Sequence, residues 1–299
     1  MKLSIIIPVM NEEKNVSKMY NEIIKLFSFK YEIIFINDGS NDNTKEELDK
    51  LYKKDNKHVK VINFSRNFGK DAAIYAGLKN SSGEYNCIID GDMQQSPKYL
   101  TKMVNFLDKN PAYSEVAMVA RKRNNEFFLK SLLIKLFYKT INVISDTKFH
   151  KDAGDFRMFR NNVKEALLSF KEKNRFTKGI FNYIGFNIYY MEYDIDKRYS
   201  GKTKFNIRRS FKYAINGIIN YSSKPLRVSY FIGVLLVIIG IICLILNIEM
   251  NSNIFIIIYG LLFIVLNIIG LYIYNIFIEV KNRPMYIIES MLGIKNEKE

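Results

Sequence analysis

Residues 85–94, Tyr-Asn-Cys-Ile-Ile-Asp-Gly-Asp-Met-Gln, decide how the chain is read. Tyr85 to Ile89 is a short apolar run suited to a buried strand, and it ends on Asp90. Asp90 and Asp92 stand two residues apart, with Gly91 allowing a tight backbone path between them. In open α/β sheets, ligands bind beyond the carboxyl ends of the strands. Oxygen ligands from Asp90, Asp92 and Gln94 suit Mg2+ or Mn2+, which in turn bind substrate phosphates. A lone pair of this kind is also a common Asp-rich turn, so its neighbours must decide.

The same pattern recurs upstream. Leu3 to Pro8, Tyr31 to Ile36 and Val59 to Phe64 read as strands, and Val116 to Ala120 follows as a fifth. Glu12 to Phe27, Asn43 to Lys54 and Asp71 to Leu78 read as the intervening helices. This alternation predicts an α/β domain with a mostly parallel, Rossmann-like sheet. Polar segments follow the strands in order: Pro8-Val9-Met10-Asn11-Glu12, then Asn37 to Asp42, then Ser65 to Lys70. Asp38 is placed to accept hydrogen bonds from a base or ribose, although an Asp-Gly pair also favours turns. Ser65 to Lys70 opens a helix whose N-terminus, with Arg66 and Lys70, favours a diphosphate. Neither a Walker A sequence nor G-x-G-x-x-G occurs, which argues against a P-loop NTPase and a dinucleotide enzyme.

Composition narrows the class. The 299 residues are 48% hydrophobic and 25% charged, which excludes a disordered tail protein. Two cysteines far apart in sequence, Cys87 and Cys243, argue against a disulfide framework and fit a reducing cytoplasm. With only His58 and His150, a histidine-rich metal centre is excluded. The formal charge of +15 calls for an anionic partner. The run Leu3 to Val9 is too short for a signal peptide and has no small-residue cleavage site after it.

The character changes near residue 226. Tyr230 to Ile248 is 19 residues without charge, and Ile254 to Ile278 is 25 more. The first run reaches roughly 28 Å as a helix, close to a bilayer's hydrocarbon thickness. Residues 226–279 are therefore expected to form a two-helix transmembrane hairpin. The loop between the runs has no Lys or Arg, whereas Lys224 and Arg227 precede the first and Lys281 and Arg283 follow the second. The positive-inside rule then puts both chain ends, including residues 280–299, in the cytoplasm. Between Lys197 and Val228 there are nine basic residues and no acidic one. Within 201–225, Asn206 to Tyr221 reads as an amphipathic interface helix, with Arg208, Arg209 and Lys212 on one face and Ile207, Phe211 and Ile215 on the other. Glu126 to Ser145 is a second candidate interface segment. A nucleic-acid binder would not need its charge beside membrane spans.

The ordered set PVMNE, NDGSND, SRNFGK, DGDMQ, AGDFR and RYSGKTKF resembles the family 2 glycosyltransferases of GT-A fold, in their polyprenyl-phosphate branch. The resemblance covers nearly the whole chain, including both apolar runs and the tail KNRPMYIIE. It departs at Met10, where the family usually has Tyr, and at DGD in place of DAD. It implies a GT-A catalytic domain over residues 1–200, with Pro8, Glu12 and Asp38 holding the nucleotide. It implies that Asp90, Asp92 and Gln94 bind Mg2+ or Mn2+ on the donor diphosphate. Asp155 would face the reacting sugar with Arg157 nearby, and Arg198, Lys204 and Arg121 would meet donor or lipid phosphates. The implied reaction moves one sugar, with inversion, from a nucleotide sugar to polyprenyl (undecaprenyl) phosphate at the cytoplasmic membrane face. The donor favoured here is UDP-glucose, with N-acetylglucosamine, mannose or a modified pentose as alternatives. The family also implies a homo-oligomer, as tetramers occur in it. A processive synthase is disfavoured because its Q-x-x-R-W motif needs a tryptophan, which this chain lacks. A nonenzymatic nucleotide-sugar-binding membrane module is disfavoured by the intact Asp90, Asp92 and Asp155.

Overall fold

The computed structural model describes residues 1–121, 153–173, 175–194, 224–245 and 252–294. They form two compact units, one holding the described residues up to 194 together with 284–294, the other 224–283. Glu126 to Ser145, Asn206 to Tyr221, Arg198 and Lys204 lie outside the described residues.

The first unit begins β1 (Leu3–Val9), α1 (Val16–Ile23), β2 (Tyr31–Asn37), α2 (Thr44–Lys54), β3 (Val59–Phe64), α3 (Lys70–Lys79), β4 (Tyr85–Ile88), α4 (Tyr99–Lys109) and β5 (Glu115–Ala120). It continues with β6 (Ala153–Arg160), α5 (Asn161–Ser169), α6 (Thr177–Tyr183) and β7 (Ile188–Tyr193). The second unit is α7 (Lys224–Ile245) and α8 (Ser252–Val280), after which β8 (Ile288–Leu292) returns to the first.

Eight strands make one sheet in the order β7-β5-β6-β4-β1-β2-β3-β8. The β3-β2-β1-β4 centre is parallel throughout. Every residue of β2 is buried, as expected of a central parallel strand covered on both faces. β6 runs antiparallel between β4 and β5, β8 runs antiparallel to β3, and β7 is parallel to β5. The carboxyl ends of β1 to β5 and β7 therefore share one edge with the amino ends of β6 and β8. One face packs Ile5, Ile7 and Phe35 against Met19, Leu48 and Leu100 of α1, α2 and α4.

Two features depart from the sequence reading. α1 starts at Val16 rather than Glu12 because its expected first turn is used in a loop. Asn11 takes a positive φ of 53°, its N–H donates to Ser40 Oγ (2.9 Å), and Glu12 N–H donates to Thr44 Oγ1 (2.9 Å). The tail also supplies an edge strand. Ser65 N–H donates to Ile287 O (3.1 Å), and Tyr286 stacks on Phe64 with ring centroids 4.9 Å apart. A side-chain ladder crosses three strands, from Asn37 Nδ2 to Asn63 Oδ1 and from Asn63 Nδ2 to Ser290 Oγ, both 3.0 Å.

In the second unit, Ile258–Val280 of α8 is 23 residues with mean hydropathy 2.3 and no burial, long and apolar enough to cross a membrane. Phe231, Leu235 and Ile245 of α7 are also exposed. The described structure thus provides one such helix by this measure, with Ser229–Ile239 as a shorter apolar stretch.

Gly39 has φ +63°, and a Cβ there would lie 2.3 Å from the Arg66 carbonyl carbon. Backbone strain and a backbone clash act together, so Gly39→Ala should destabilise the first unit by about 2–4 kcal/mol, read by chemical unfolding.

Candidate active site

Ile6 and Ile88 form the last rung between β1 and β4. Ile89 N–H still reaches Ile6 O (3.1 Å), whereas Asp38 N–H reaches Val9 O (2.9 Å) on the opposite side. Pro8 therefore faces the β4 side, where no rung needs its missing N–H. The chain beyond β4 turns into this parting. A Cβ on Gly91 would lie 2.7 Å from Val9 Cγ1, so the glycine lets the acidic turn lie against β1. Met93 takes φ 63° with its side chain buried, a backbone cost on the order of 1 kcal/mol that redirects the turn. Gln94 N–H donates to Asp92 Oδ1 (3.1 Å).

Asp90 is held from two sides. Gln95 Oε1 accepts the Asp90 N–H (2.8 Å), and Gln95 Nε2 donates to Asp90 Oδ2 (3.1 Å). Its other oxygen, Oδ1, lies 2.5 Å from Lys70 Nζ. The same ammonium lies 2.6 Å from Asp155 Oδ2, at the amino end of β6. Lys70 thus joins two carboxylates that belong to different strands. Burial alone would push the Asp155 carboxyl up, but Lys178, Lys70 and Arg157 outweigh it and hold it well below the usual carboxylate range. Burial likewise opposes the charge on Lys70, and Asp155 and Asp90 reverse the sign and raise it.

Asp38 accepts from Phe68 N–H (2.7 Å) and Gly69 N–H (3.0 Å) and from Asn67 Nδ2 (3.0 Å). Burial pushes its carboxyl up while those amides pull it down. Its carboxylate thereby pins the loop that leads into Lys70. Glu12 Oε2 accepts from Asn15 Nδ2 (2.5 Å), and Met10 Sδ lies 2.8 Å from Asn67 Nδ2.

Arg157 sits on the same face of β6 as Asp155 but deeper. It is 2% exposed, donates to Glu115 Oε1 (2.6 Å) and Gly154 O (2.9 Å), and lies over the Phe181 ring. Burial pushes the Glu115 carboxyl up against the pull of Arg157. Arg157 therefore acts on Asp155 through space, from beneath. Arg121 leaves β5 at the same sheet edge, paired with Glu192 (3.0 Å) and Asp194 (3.5 Å).

Gln95, Lys178 and Glu115 were not singled out from sequence. Gln95 adjoins Gln94, and Glu115 directly precedes the apolar run Val116 to Ala120, whose buried strand it extends. Among the described residues, no three His, Cys, Asp or Glu side chains gather as a metal-binding group. Mg2+ and Mn2+ commonly take one or two carboxylates and complete their shell with substrate phosphates and water, so the Asp90–Asp92 pair fits them. That Asp90 Oδ1 already holds a cationic group is consistent with this.

Residues 4–168 match the family described as Glycosyl transferase family 2. The chain belongs to that family. It is 33% identical to the "Bactoprenol glucosyl transferase" of Shigella phage SfV, over 100% of both chains. It is equally 33% identical to the "Uncharacterized glycosyltransferase YkcC" of Bacillus subtilis (strain 168), covering 99% of this chain and 95% of that one. The "Mannosyltransferase PcManGT from Pyrobaculum calidifontis in complex with GDP-Man and Mn2+" shares the fold, with TM-score 0.50 at 17% identity over 68% of this chain and 58% of that one. The family 2 member described here is thus a glycosyltransferase of GT-A fold.

Gln95→Ala removes both Gln95 hydrogen bonds to Asp90 and should lower turnover about 10-fold or more with little change in melting temperature. Arg157→Met leaves Glu115 buried without its partner and should cost about 3–5 kcal/mol, much of it recovered by adding Glu115→Gln, as read by chemical unfolding.

Proposed function

We propose that the enzyme transfers one sugar, with inversion, from a nucleotide-sugar donor to polyprenyl phosphate at the cytoplasmic face of a membrane. UDP-glucose is the favoured donor. The observation that carries the reading is the meeting of Asp90 and Asp155 on one ammonium, at the sheet edge where Asp38 and Asp92 also lie. The phage relative, a bactoprenol glucosyl transferase by name, supports a polyprenyl acceptor and a glucosyl donor. GDP-Man and Mn2+ in the archaeal neighbour support a nucleotide sugar and a divalent metal.

In this reading Pro8, Glu12 and Asp38 line the nucleotide side, and Asp38 acts there by holding the 67–69 loop. Asp90, Asp92 and Gln94 hold Mg2+ or Mn2+. When bound, the ion supplies Lewis-acid stabilisation of the charge that grows on the departing diphosphate. Asp155 faces the anomeric centre. Held ionised by its three cationic neighbours, it orients the acceptor rather than taking a proton. A phosphate monoester has its second pKa near ~6 and arrives largely ionised, so it needs little base assistance. Its oxygen forms the new bond to the anomeric carbon while the bond to the diphosphate breaks, and the electron pair leaves with the nucleotide. Arg121, Arg198 and Lys204 are assigned to donor or lipid phosphates, and α7 and α8 to a two-span membrane hairpin, with the catalytic unit and both termini cytoplasmic.

The test uses full-length protein in detergent with Mn2+ or Mg2+, a short polyprenyl phosphate and a panel of nucleotide sugars. A glycosyl phospholipid should form, most rapidly from UDP-glucose and with inverted anomeric configuration by NMR. Asp92→Asn should lower the rate about 100-fold or more while the protein stays folded. Transfer only to hydroxyl acceptors, or full activity of Asp92→Asn, would sink this reading.

A further inference from the structure

Lys70 is the group that the proposed reaction leaves without a task. Its ammonium touches Asp90 Oδ1 and Asp155 Oδ2 at 2.5 and 2.6 Å. Its side chain is 40% exposed, although burial of the ammonium opposes its charge. The backbone beside it is fixed from both directions. Asp38 grips the amides of Phe68 and Gly69 just before it. Asp71, just after it, accepts the Thr177 N–H (3.0 Å) at the start of α6. Movement at this position therefore belongs to the side chain, a flexible four-carbon stem with a point charge at its end.

That charge has two acidic partners of unequal kind. Asp155 has further positive neighbours in Lys178 and Arg157. Asp90 lies beside Asp92 in the turn assigned to the divalent cation. A hard cation and an ammonium seek the same carboxylate oxygens, and two positive charges at one oxygen repel each other.

We propose that Lys70 is a displaceable counter-ion, competing with the divalent cation for Asp90 so that cation binding transfers its ammonium wholly to Asp155. This rests on the metal reading above and adds a link between cation binding and the charge beside Asp155. The opposing possibility is a permanent brace, in which Lys70 keeps Asp90 oriented for the metal.

The two differ in the sign of one measurement, Mn2+ binding by the full-length protein in detergent without nucleotide, followed by the EPR signal of free Mn2+. Lys70→Met keeps the length and removes the charge, and should tighten Mn2+ binding about 5- to 10-fold. Lys178→Met removes a charge near Asp155 and should change it by less than about 2-fold. Unchanged or weaker binding by Lys70→Met overturns the proposal, as does an equal gain from Lys178→Met. Wild-type protein supplies a check free of folding effects: saturating Mn2+ should raise acetic-anhydride labelling of Lys70, read by mass spectrometry, at least 2-fold. Unchanged labelling overturns the exchange alone. Absence of Mn2+ binding by both wild type and Lys70→Met, with and without a nucleoside diphosphate, overturns the exchange together with the metal reading.

Discussion

Past Ile6 and Ile88, strands β1 and β4 share no further rung, and the chemistry of the chain is arranged around that parting. A parallel sheet that is wound first toward β3 and then back to β4 must open at this point. Pro8 tolerates the opening because it has no N–H to leave unpaired. Gly91 lets the acidic turn lie against Val9, where a side chain would collide. Had β4 continued to pair with β1, Asp90 and Asp92 would have been drawn into the ladder instead of turning out of it. The antiparallel β6 completes the arrangement by bringing its amino end, and with it Asp155, to the same edge.

Gathering carboxylates has an electrostatic cost. Two like charges 4 Å apart repel by about 4 kcal/mol at an effective dielectric of 20. The structure offsets this with cations from separate elements: Lys70 from α3, Lys178 from α6 and Arg157 from β6. Arg157 is itself balanced by Glu115 in β5, so the buried layer beneath Asp155 adds little net charge. The result is an edge where Asp90 and Asp155 stay within reach of one ammonium.

Much of this was legible in the sequence. β1 to β5 are readable because buried parallel strands appear as largely apolar runs, and turn residues follow each run directly. The acidic turn stood out for the same reason. Its supports did not. Gln95 and Lys70 act on Asp90 through side-chain contacts that a local pattern does not encode. The pairing of Arg157 with Glu115 depends on the β5–β6 register, which no spacing within either strand reveals. β8 was hidden because it lies after the apolar runs and joins β3 across more than two hundred residues. The expected α1 runs about a turn too far at each end: Glu12 has good helix propensity but its N–H is taken by Thr44, and the chain leaves the helix after Ile23.

The charge state of Asp155 bears on which part of the proposed transfer is difficult. A carboxylate paired with the Lys70 ammonium is a weak base, because protonation would forfeit that attraction. Lys178, Lys70 and Arg157 together lower the affinity of Asp155 for a proton. The arrangement suits a nucleophile that has already lost its proton, and it places the remaining demand on the departing diphosphate. Positive charge near Asp90 and Asp92 answers that demand. In the proposed transfer the two requirements meet at Lys70, which touches Asp90 and Asp155 before a cation binds.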